Sequence, residues 1–494
     1  MLIKNDSGHF QIESLLHREK LQIQELLCTA NRNGAVHGVK PSIHPNSSKT
    51  GTCGDTDNSE NAYLPTVGRW GCEWPRESKS DVPLKCVQNQ EICDETSLIN
   101  GLEDNGAVFK NNNPFRIKYN LLDELLDITQ VHGPWLSKHP LPLPVWAQRT
   151  KDVLKFDSIW QYEYFASQIE FQIQQLLDIT IIIPLIIFTR TSLISQIQIG
   201  YSYELIFRYL PPITPLHYTC VGLALELWIQ LVKLNEKFPG LTNYLYLVSC
   251  EENIETIEEY TSLGDHLDRI VTSLEKEHVL LALRFEISGR YGVLLCDPGY
   301  HVARVVTVMT DQQYPHTGKF VQSQEIHTQK EYNYAFSSNM SFIQWTEILT
   351  KTNEVTTQDV ALIYISKPYL TAVDVTERRN LVYNFRSLLS RDSKGILKAG
   401  VYFKIKENYD EFTVFYKDGA TKKRFKYNFG MFLQGERITD CIRDVLRECS
   451  IQLNLNKDAL ESILMSLANV LADKNYIKQL LEINCQINNL AEDN

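Results

Sequence analysis

Three residues in the middle of the chain carry side chains that could together perform nucleophilic chemistry. They are Cys220, His278 and Asp297. A thiolate can attack a carbonyl carbon, an imidazole can move a proton to and from the reacting groups, and a carboxylate can orient the imidazole. Their types and order along the chain therefore predict a site for thiol-based acyl transfer.

The segment that begins at Cys220 has the pattern of a helix buried on almost every side. Its apolar residues form two adjacent stripes, and the narrow polar face consists of Glu226, Gln230, Lys233 and Lys237. Cys220 lies in the first turn, where backbone N–H groups have no partner and the helix dipole is positive. We expect this position to favour a thiolate.

His278 and Asp297 lie on two segments that read as the strands of one hairpin. The segments are Val279–Ile287 and Arg290–Cys296, joined by Ser288-Gly289. A two-residue turn there pairs Ile287 with Arg290 and makes His278 and Asp297 diagonal neighbours on one face, about 7–8 Å apart at the backbone. A carboxylate at that distance can reach the imidazole.

Each of these residues also has an ordinary structural interpretation. A cysteine in an apolar helix is usually a small core residue, a histidine at a strand end usually fills core or surface, and Asp-Pro-Gly is a common turn. His266 and His301 are rival bases in the same part of the chain. The combination of the three residues, more than any one of them, favours the catalytic interpretation.

The stretches around the three residues resemble the papain-like superfamily, in its transglutaminase and arylamine N-acetyltransferase branches. The stretches are Thr219–Ala224, Glu277–Leu281 and Leu294–Tyr300, within a resemblance that covers roughly residues 211–309. The resemblance implies a papain-like core, with a central helix packed on a mostly antiparallel sheet. It also implies cysteine-dependent acyl transfer or amide hydrolysis, with Cys220 as nucleophile, His278 as acid and base, and Asp297 orienting His278.

The residues before the cysteine differ from both branches. His217-Tyr218-Thr219 replaces the Arg-Gly-Gly-Phe of the acetyltransferases and the Gly-Gln of the transglutaminases, and Val221 replaces the tryptophan of the latter. The Cys220 N–H would supply one oxyanion contact, whereas the second donor is open, with His217 and Tyr218 as candidates by proximity.

The expected partner is an acyl or amide substrate, either a small molecule or a protein. No cofactor is required by the residues, and acyl-coenzyme A is open as an acyl donor. The alternative function is a catalytically inactive papain-like scaffold that binds other proteins through its flanking segments. Retention of all three site residues favours the enzyme.

The order of patterns along the chain predicts an α+β protein with helical flanks. We predict an amphipathic helix within residues 1–30, a mostly disordered low-complexity segment at 31–113, a helical subdomain at 114–215, the papain-like α+β domain at 216–435, and C-terminal helices at 436–494. Further predicted elements are helices at Leu121–Ile128 and Ile159–Ile179, strands at Tyr244–Val248, Val302–Met309, Val360–Ile365, Gly400–Lys406, Glu411–Tyr416 and Lys422–Tyr427, and a helix capped by Asp458.

The composition excludes several classes of protein. A net charge of -11 argues against nucleic acid or an anionic membrane as a partner. The longest uncharged apolar run, Ile179–Phe188, is shorter than the about 20 residues of a membrane-spanning helix and is interpreted as a buried segment. Eleven cysteines without a Cys-x-x-Cys pair, and no secretory signal, predict reduced thiols, no metal site and a cytoplasmic protein.

Overall fold

The computed structural model describes residues 131–137, 139–179, 219–262, 276–324, 328–351, 356–392, 396–407, 411–419, 421–433 and 438–492. Several predictions lie outside these residues. They are the N-terminal amphipathic helix, the low-complexity segment, the helix at Leu121–Ile128 and the apolar run beyond Ile179.

Nine strands of the described chain form a large, mostly antiparallel sheet. They are β1 (Leu154–Phe156), β2 (Leu245–Glu251), β3 (His278–Ile287), β4 (Arg290–Cys296), β5 (Val306–Met309), β6 (Phe320–Gln324), β7 (Thr328–Phe336), β8 (Phe342–Lys351) and β9 (Thr356–Tyr364). Their order is β5-β4-β3-β2-β9-β8-β7-β6, and β1 runs parallel to the end of β3. The two strands of the predicted hairpin therefore lie inside the sheet.

The sheet curls around an interior core that is rich in aromatic rings. Strand β5 at one end of the order contacts β7 near the other end. Val308, Tyr332 and Trp345 belong to the same buried cluster, which also contains Tyr300 and Tyr334. One face of the hairpin therefore looks into this interior, while its other face is covered by helices.

Two helices cover the outer face of the sheet. They are α1 (Ile159–Ile179) and α2 (Cys220–Val232), and α2 packs on β3. The bounds of α1 agree with the predicted helix. Leu225, Leu227 and Leu231 of α2 are fully buried, which confirms a helix surrounded by protein. Helix α2 continues as a 3-10 turn, Lys233–Glu236. A second 3-10 turn, Leu241–Asn243, precedes β2, and α3 (Ile257–Ser262) lies between β2 and β3.

The C-terminal part of the described chain, from residue 372 on, forms a smaller sheet covered by the C-terminal helices. A fully buried π-helix, Ala372–Glu377, leads into α4 (Arg378–Val382). The strands are β10 (Phe385–Arg391), β11 (Leu397–Lys404), β12 (Glu411–Asp418) and β13 (Thr421–Asn428), followed by a 3-10 turn, Phe429–Phe432, and by α5 (Asp440–Gln452), α6 (Ala459–Leu471) and α7 (Lys474–Glu492). Strands and helices share one apolar core.

The architecture is mixed α+β, with a mostly antiparallel sheet, a buried helix and C-terminal helices as expected. The predicted strand Val302–Met309 is wrong in its first half, because the chain turns there before β5 begins. The Val302 N–H donates to the Asp297 carbonyl, and His301 has a left-handed backbone with φ of 54°. Asp458 precedes α6 at the capping position, but its side chain makes no capping hydrogen bond. The domain boundaries stay predictions.

Candidate active site

Cys220 is the first residue of α2, as its sequence context predicts. Thr219 caps the helix, because its hydroxyl oxygen accepts a hydrogen bond from the Gly222 N–H at 3.2 Å. The Cys220 N–H belongs to the first turn and therefore has no acceptor within the helix. The Cys220 sulfur lies 3.9 Å from the Glu277 carbonyl oxygen, at the start of β3.

His278 and Asp297 meet across the hairpin in the predicted register. Ile287 pairs with Arg290 and Leu281 with Cys296, and Ser288 and Gly289 form the two-residue turn with positive φ angles. The His278 Nε2 atom lies 3.0 Å from each carboxylate oxygen of Asp297. Both side chains are almost fully buried.

The Asp297 carboxylate is itself held by the turn that follows it. One of its oxygens accepts the Tyr300 backbone N–H at 2.9 Å, and the Tyr300 ring packs edge-on against the imidazole of His278 with centroids 4.2 Å apart. Because the carboxylate occupies Nε2, the Nδ1 atom of His278 is the nitrogen left for the thiol.

The Cys220 side chain also acts on the imidazole of His278. Burial alone would lower the pKa of His278, but the charge and hydrogen bonds of Asp297 and the interaction with Cys220 raise it to about 10. The ring is therefore an imidazolium at neutral pH. The electrostatics are those of a cation placed between a carboxylate and a thiol.

Gly299 permits this close approach of thiol and ring. A Cβ atom at this position would lie 2.7 Å from the Cβ of Cys220 and 2.8 Å from the Cε1 of His278. Cβ atoms in proteins essentially never lie within 3.0 Å of such neighbouring atoms, so one of the neighbours would have to move. The Asp-Pro-Gly turn therefore requires glycine at position 299, because a larger residue would clash with Cys220 and His278.

Asn380 and Glu377 complete the surroundings of the sulfur and were not predicted from the sequence. Asn380 Nδ2 donates to the Cys220 sulfur at 3.4 Å. Glu377 accepts a hydrogen bond from the Thr219 hydroxyl, the Asn380 side chain also acts on its carboxyl group, and burial raises its pKa to about 8 despite both. Glu377 ends the π-helix and Asn380 follows in α4, and π-helical turns often occur at functional sites.

The rival residues take no part in this arrangement among the described residues. His301 is buried, and burial with the nearby Arg391 charge lowers its pKa well below the ordinary value. Neither of its ring nitrogens has a hydrogen-bond partner among the described residues. His266, His217 and Tyr218 lie outside the described residues.

A small cavity of about 10 Å³ lies near the start of β3. It is lined by Trp146, Ser249, Glu251, Tyr260, Lys276, Phe342, Leu362 and Tyr364. Its polar groups satisfy one another, since Glu251 pairs with the Lys276 ammonium and accepts from the Tyr260 hydroxyl at 2.6 Å. Cys220, His278 and Asp297 do not line this cavity, and Cys220 is 6% exposed.

Glu277, the residue between this cavity and His278, carries a carboxyl group that resists ionisation. Burial and the neighbouring charges of Glu252 and Glu251 raise its pKa well above the ordinary value. Asp297 is the carboxylate that contacts His278.

Within the described ranges, no group of three or more His, Cys, Asp and Glu side chains is arranged to hold a metal ion. In the part of the chain that the structure describes, every helix is too short or too polar to cross a membrane. Comparison of the whole chain with protein-family models, curated proteins and solved structures gives no match.

Proposed function

We propose that the chain is a cysteine-dependent enzyme that transfers acyl groups or hydrolyses amides, built on a papain-like core of the transglutaminase or arylamine N-acetyltransferase kind. One observation carries the proposal. The Cys220 side chain acts on the imidazole of His278 and helps to raise its pKa, while both carboxylate oxygens of Asp297 lie 3.0 Å from its Nε2. This chain of contacts is what a thiol nucleophile with an oriented base requires.

The reaction would proceed in two halves. The Cys220 thiolate attacks the acyl carbonyl, and the His278 imidazolium gives its proton to the leaving group as the tetrahedral intermediate collapses to a thioester. The now neutral His278 then takes a proton from the acceptor, a water or an amine, as the acceptor attacks the thioester and releases Cys220. Asp297 holds the ring through both halves.

The acyl donor follows from this chemistry only as a class. An amide, an ester or a thioester such as acyl-coenzyme A presents the carbonyl that a thiolate attacks, on a small molecule or on a protein.

Alkylation by iodoacetamide at a series of pH values tests the proposal. Alkylation of an ordinary cysteine thiol, with a pKa of about 8.5, slows about tenfold for each pH unit below it. If Cys220 is paired with the His278 imidazolium, its alkylation persists between pH 5 and 7. Peptide mapping of the native protein measures the rate at Cys220 against the exposed Cys441 and Cys485 as internal references.

The matched control is His278→Ala, which removes the imidazolium and leaves the helix that carries Cys220 in place. We expect the variant to lose Cys220 alkylation at low pH, with unchanged rates at Cys441 and Cys485. The proposal is wrong if the native protein alkylates Cys220 no faster at pH 6 than it alkylates the two exposed thiols.

The low exposure of Cys220 favours the second candidate, an inactive scaffold that binds other proteins. The Cys220 thiol is 6% exposed and does not line the cavity near the start of β3, as expected if the chain descends from an enzyme but no longer binds a substrate. The scaffold predicts uniformly slow alkylation of Cys220 at every pH at which the protein is folded. The same experiment therefore separates the two functions.

A further inference from the structure

Stabilisation of the tetrahedral intermediate needs hydrogen-bond donors aimed at the oxygen that becomes negative. The Cys220 N–H can supply one, because the first turn of α2 leaves it without an acceptor in the helix. A second donor must come from another part of the chain. Of the described residues, Asn380 has a side-chain donor directed at the sulfur.

We propose that the side-chain amide of Asn380 is the second oxyanion donor, and that Glu377 positions it. The inference rests on the proposed acyl-transfer function. It restricts the substrate to a carbonyl compound whose oxygen becomes an oxyanion, such as an ester, a thioester or an amide.

The distances agree with this role. Asn380 Nδ2 lies 3.4 Å from the Cys220 sulfur. In the tetrahedral intermediate the oxyanion is bonded to the carbon that carries the sulfur, and a donor acts on it from about 2.7–3.1 Å. A donor in contact with the sulfur is therefore also within reach of the oxygen, which is two bonds away from the sulfur.

Glu377 determines which end of the amide faces the sulfur. Its carboxyl group accepts a hydrogen bond from the Thr219 hydroxyl, and the Asn380 side chain is close enough to lower its pKa. A rotated amide would present its oxygen to the sulfur in place of the Nδ2 donor. Glu377 therefore holds the N–H end of Asn380 and the cap of α2 in one arrangement.

The proposal separates two reactions of the same sulfur. Acylation by p-nitrophenyl acetate passes through an oxyanion, whereas alkylation by iodoacetamide is a displacement at carbon that creates none. Loss of an oxyanion donor therefore lowers the acylation rate. It leaves unchanged the limiting alkylation rate, which is the constant rate reached at high pH. Loss of the thiolate or of access to the sulfur slows both.

The experiment measures both rates at Cys220 by mass spectrometry, across pH, in the full-length protein and in Asn380→Ala. We expect the limiting acetylation rate to fall about 10²–10³-fold, as for removal of one oxyanion donor in other enzymes, with the limiting alkylation rate unchanged. The matched control is Asn469→Ala in α6, an exposed asparagine whose amide donates to the Met465 carbonyl in the same helix; both of its rates should equal those of the native protein.

Glu377 is tested by two substitutions that differ in hydrogen bonding. Glu377→Gln keeps an acceptor for Asn380 and should retain most of the acetylation rate, whereas Glu377→Leu removes it and should show the same selective loss as Asn380→Ala. A structural role alone would lower both rates or neither.

The possible failures have different signatures. Equal acetylation rates in Asn380→Ala and the native protein overturn the role of Asn380 and leave the proposed function intact. A native protein whose Cys220 is neither alkylated at low pH nor acetylated overturns the proposed function, and the inference with it. If Asn380→Ala does not fold, the Glu377→Leu and Glu377→Gln pair decides, because equal acetylation in these two variants contradicts the proposal.

Discussion

At the residue scale, the charge of His278 is what distinguishes this site from an ordinary buried histidine. Burial opposes an imidazolium, and His301 in the same core shows the usual result, a pKa well below the ordinary value. His278 has the opposite shift because two carboxylate oxygens of Asp297 contact one of its nitrogens. The positive charge of His278, and with it the proposed chemistry, therefore depends on Asp297.

Replacing Asp297 by Asn should change the pH dependence of stability. A pKa raised from about 6.5 to about 10 in the folded protein contributes stability that is fully present below pH 6.5 and is lost as the pH rises through 10. Asp297→Asn removes the carboxylate that causes this shift. Its deficit in the free energy of unfolding, measured by urea denaturation, should be largest near pH 6.5 and should shrink toward pH 10.

The matched control for this change is Asp440→Asn, at a carboxylate whose side chain is 97% exposed. Its effect on the free energy of unfolding should be small and nearly constant over the same range. A deficit of Asp297→Asn that is independent of pH would contradict an imidazolium at position 278.

Gly299→Ala should separate the thiol from the imidazole. The added methyl group would lie 2.7 Å from the Cβ of Cys220 and 2.8 Å from the Cε1 of His278, so one of the two must move. We expect destabilisation of about 1–3 kcal/mol, as for overpacking in other cores, and loss of Cys220 alkylation at pH 6. Alkylation rates and urea denaturation measure the two effects.

Gly419→Ala is the control for Gly299→Ala, because it strains a turn with φ of 61° without contacting any neighbour. It should lower stability through the backbone and leave Cys220 alkylation unchanged. Unchanged low-pH alkylation in Gly299→Ala would show that the site tolerates a wider spacing of thiol and ring.

The three residues with a sequence signal were predictable because local structure places them. A helix start fixes Cys220, and the parity and turn of one hairpin fix His278 relative to Asp297. Asn380 and Glu377 follow Cys220 by about 160 residues and reach it from a π-helix and a short helix. Neither element has a periodic pattern that a sequence displays, so their contact with the sulfur depends on tertiary packing alone.

At the scale of elements, strands were predictable where their pattern agreed with burial. The hairpin β3–β4 is aliphatic on both faces, because helices cover one face and the curled sheet encloses the other. Strands β7 and β8 instead bury polar residues in the sheet interior, where Lys330 pairs with Glu347 at 2.7 Å. These two buried charged residues interrupt the alternation of apolar and polar residues that would have identified β7 and β8 as strands from the sequence.

Thr219 joins the start of α2 to the π-helix, and its hydroxyl acts on both. It accepts from the Gly222 N–H and donates to Glu377. Thr219→Val should therefore lower the free energy of unfolding by about 1 kcal/mol through loss of the helix cap. It also removes one hydrogen-bond donor from Glu377, at a further cost of about 1–3 kcal/mol. Thr219→Ser keeps the hydroxyl and should cost much less in urea denaturation.

Thr439 offers a matched comparison, since it occupies the capping position of α5 without a side-chain capping bond. Thr439→Val should have a smaller effect than Thr219→Val on the free energy of unfolding. Equal losses in the two variants would contradict the double role of the Thr219 hydroxyl.

At the scale of the whole molecule, the C-terminal helix α7 is connected to the site through α4. The buried Arg379 donates to Asn484 at 2.8 Å and to Asn488 at 2.9 Å, both on α7. Asn380, which contacts the Cys220 sulfur, is the next residue along α4. Because α4 has only five residues, it has little internal stability and its position depends on these contacts.

Asn484→Ala should therefore weaken the site from a distance. Removal of one acceptor from a buried guanidinium costs about 1.5–3 kcal/mol, and the freed α4 should hold Asn380 less well against the sulfur. We expect a lower free energy of unfolding and slower acetylation of Cys220, with its limiting alkylation rate retained. Asn489→Ala, on the exposed face of α7, should change neither rate. If Asn484→Ala lowers stability but leaves acetylation untouched, α7 supports the smaller sheet alone, and the position of Asn380 is fixed by Glu377 and the π-helix.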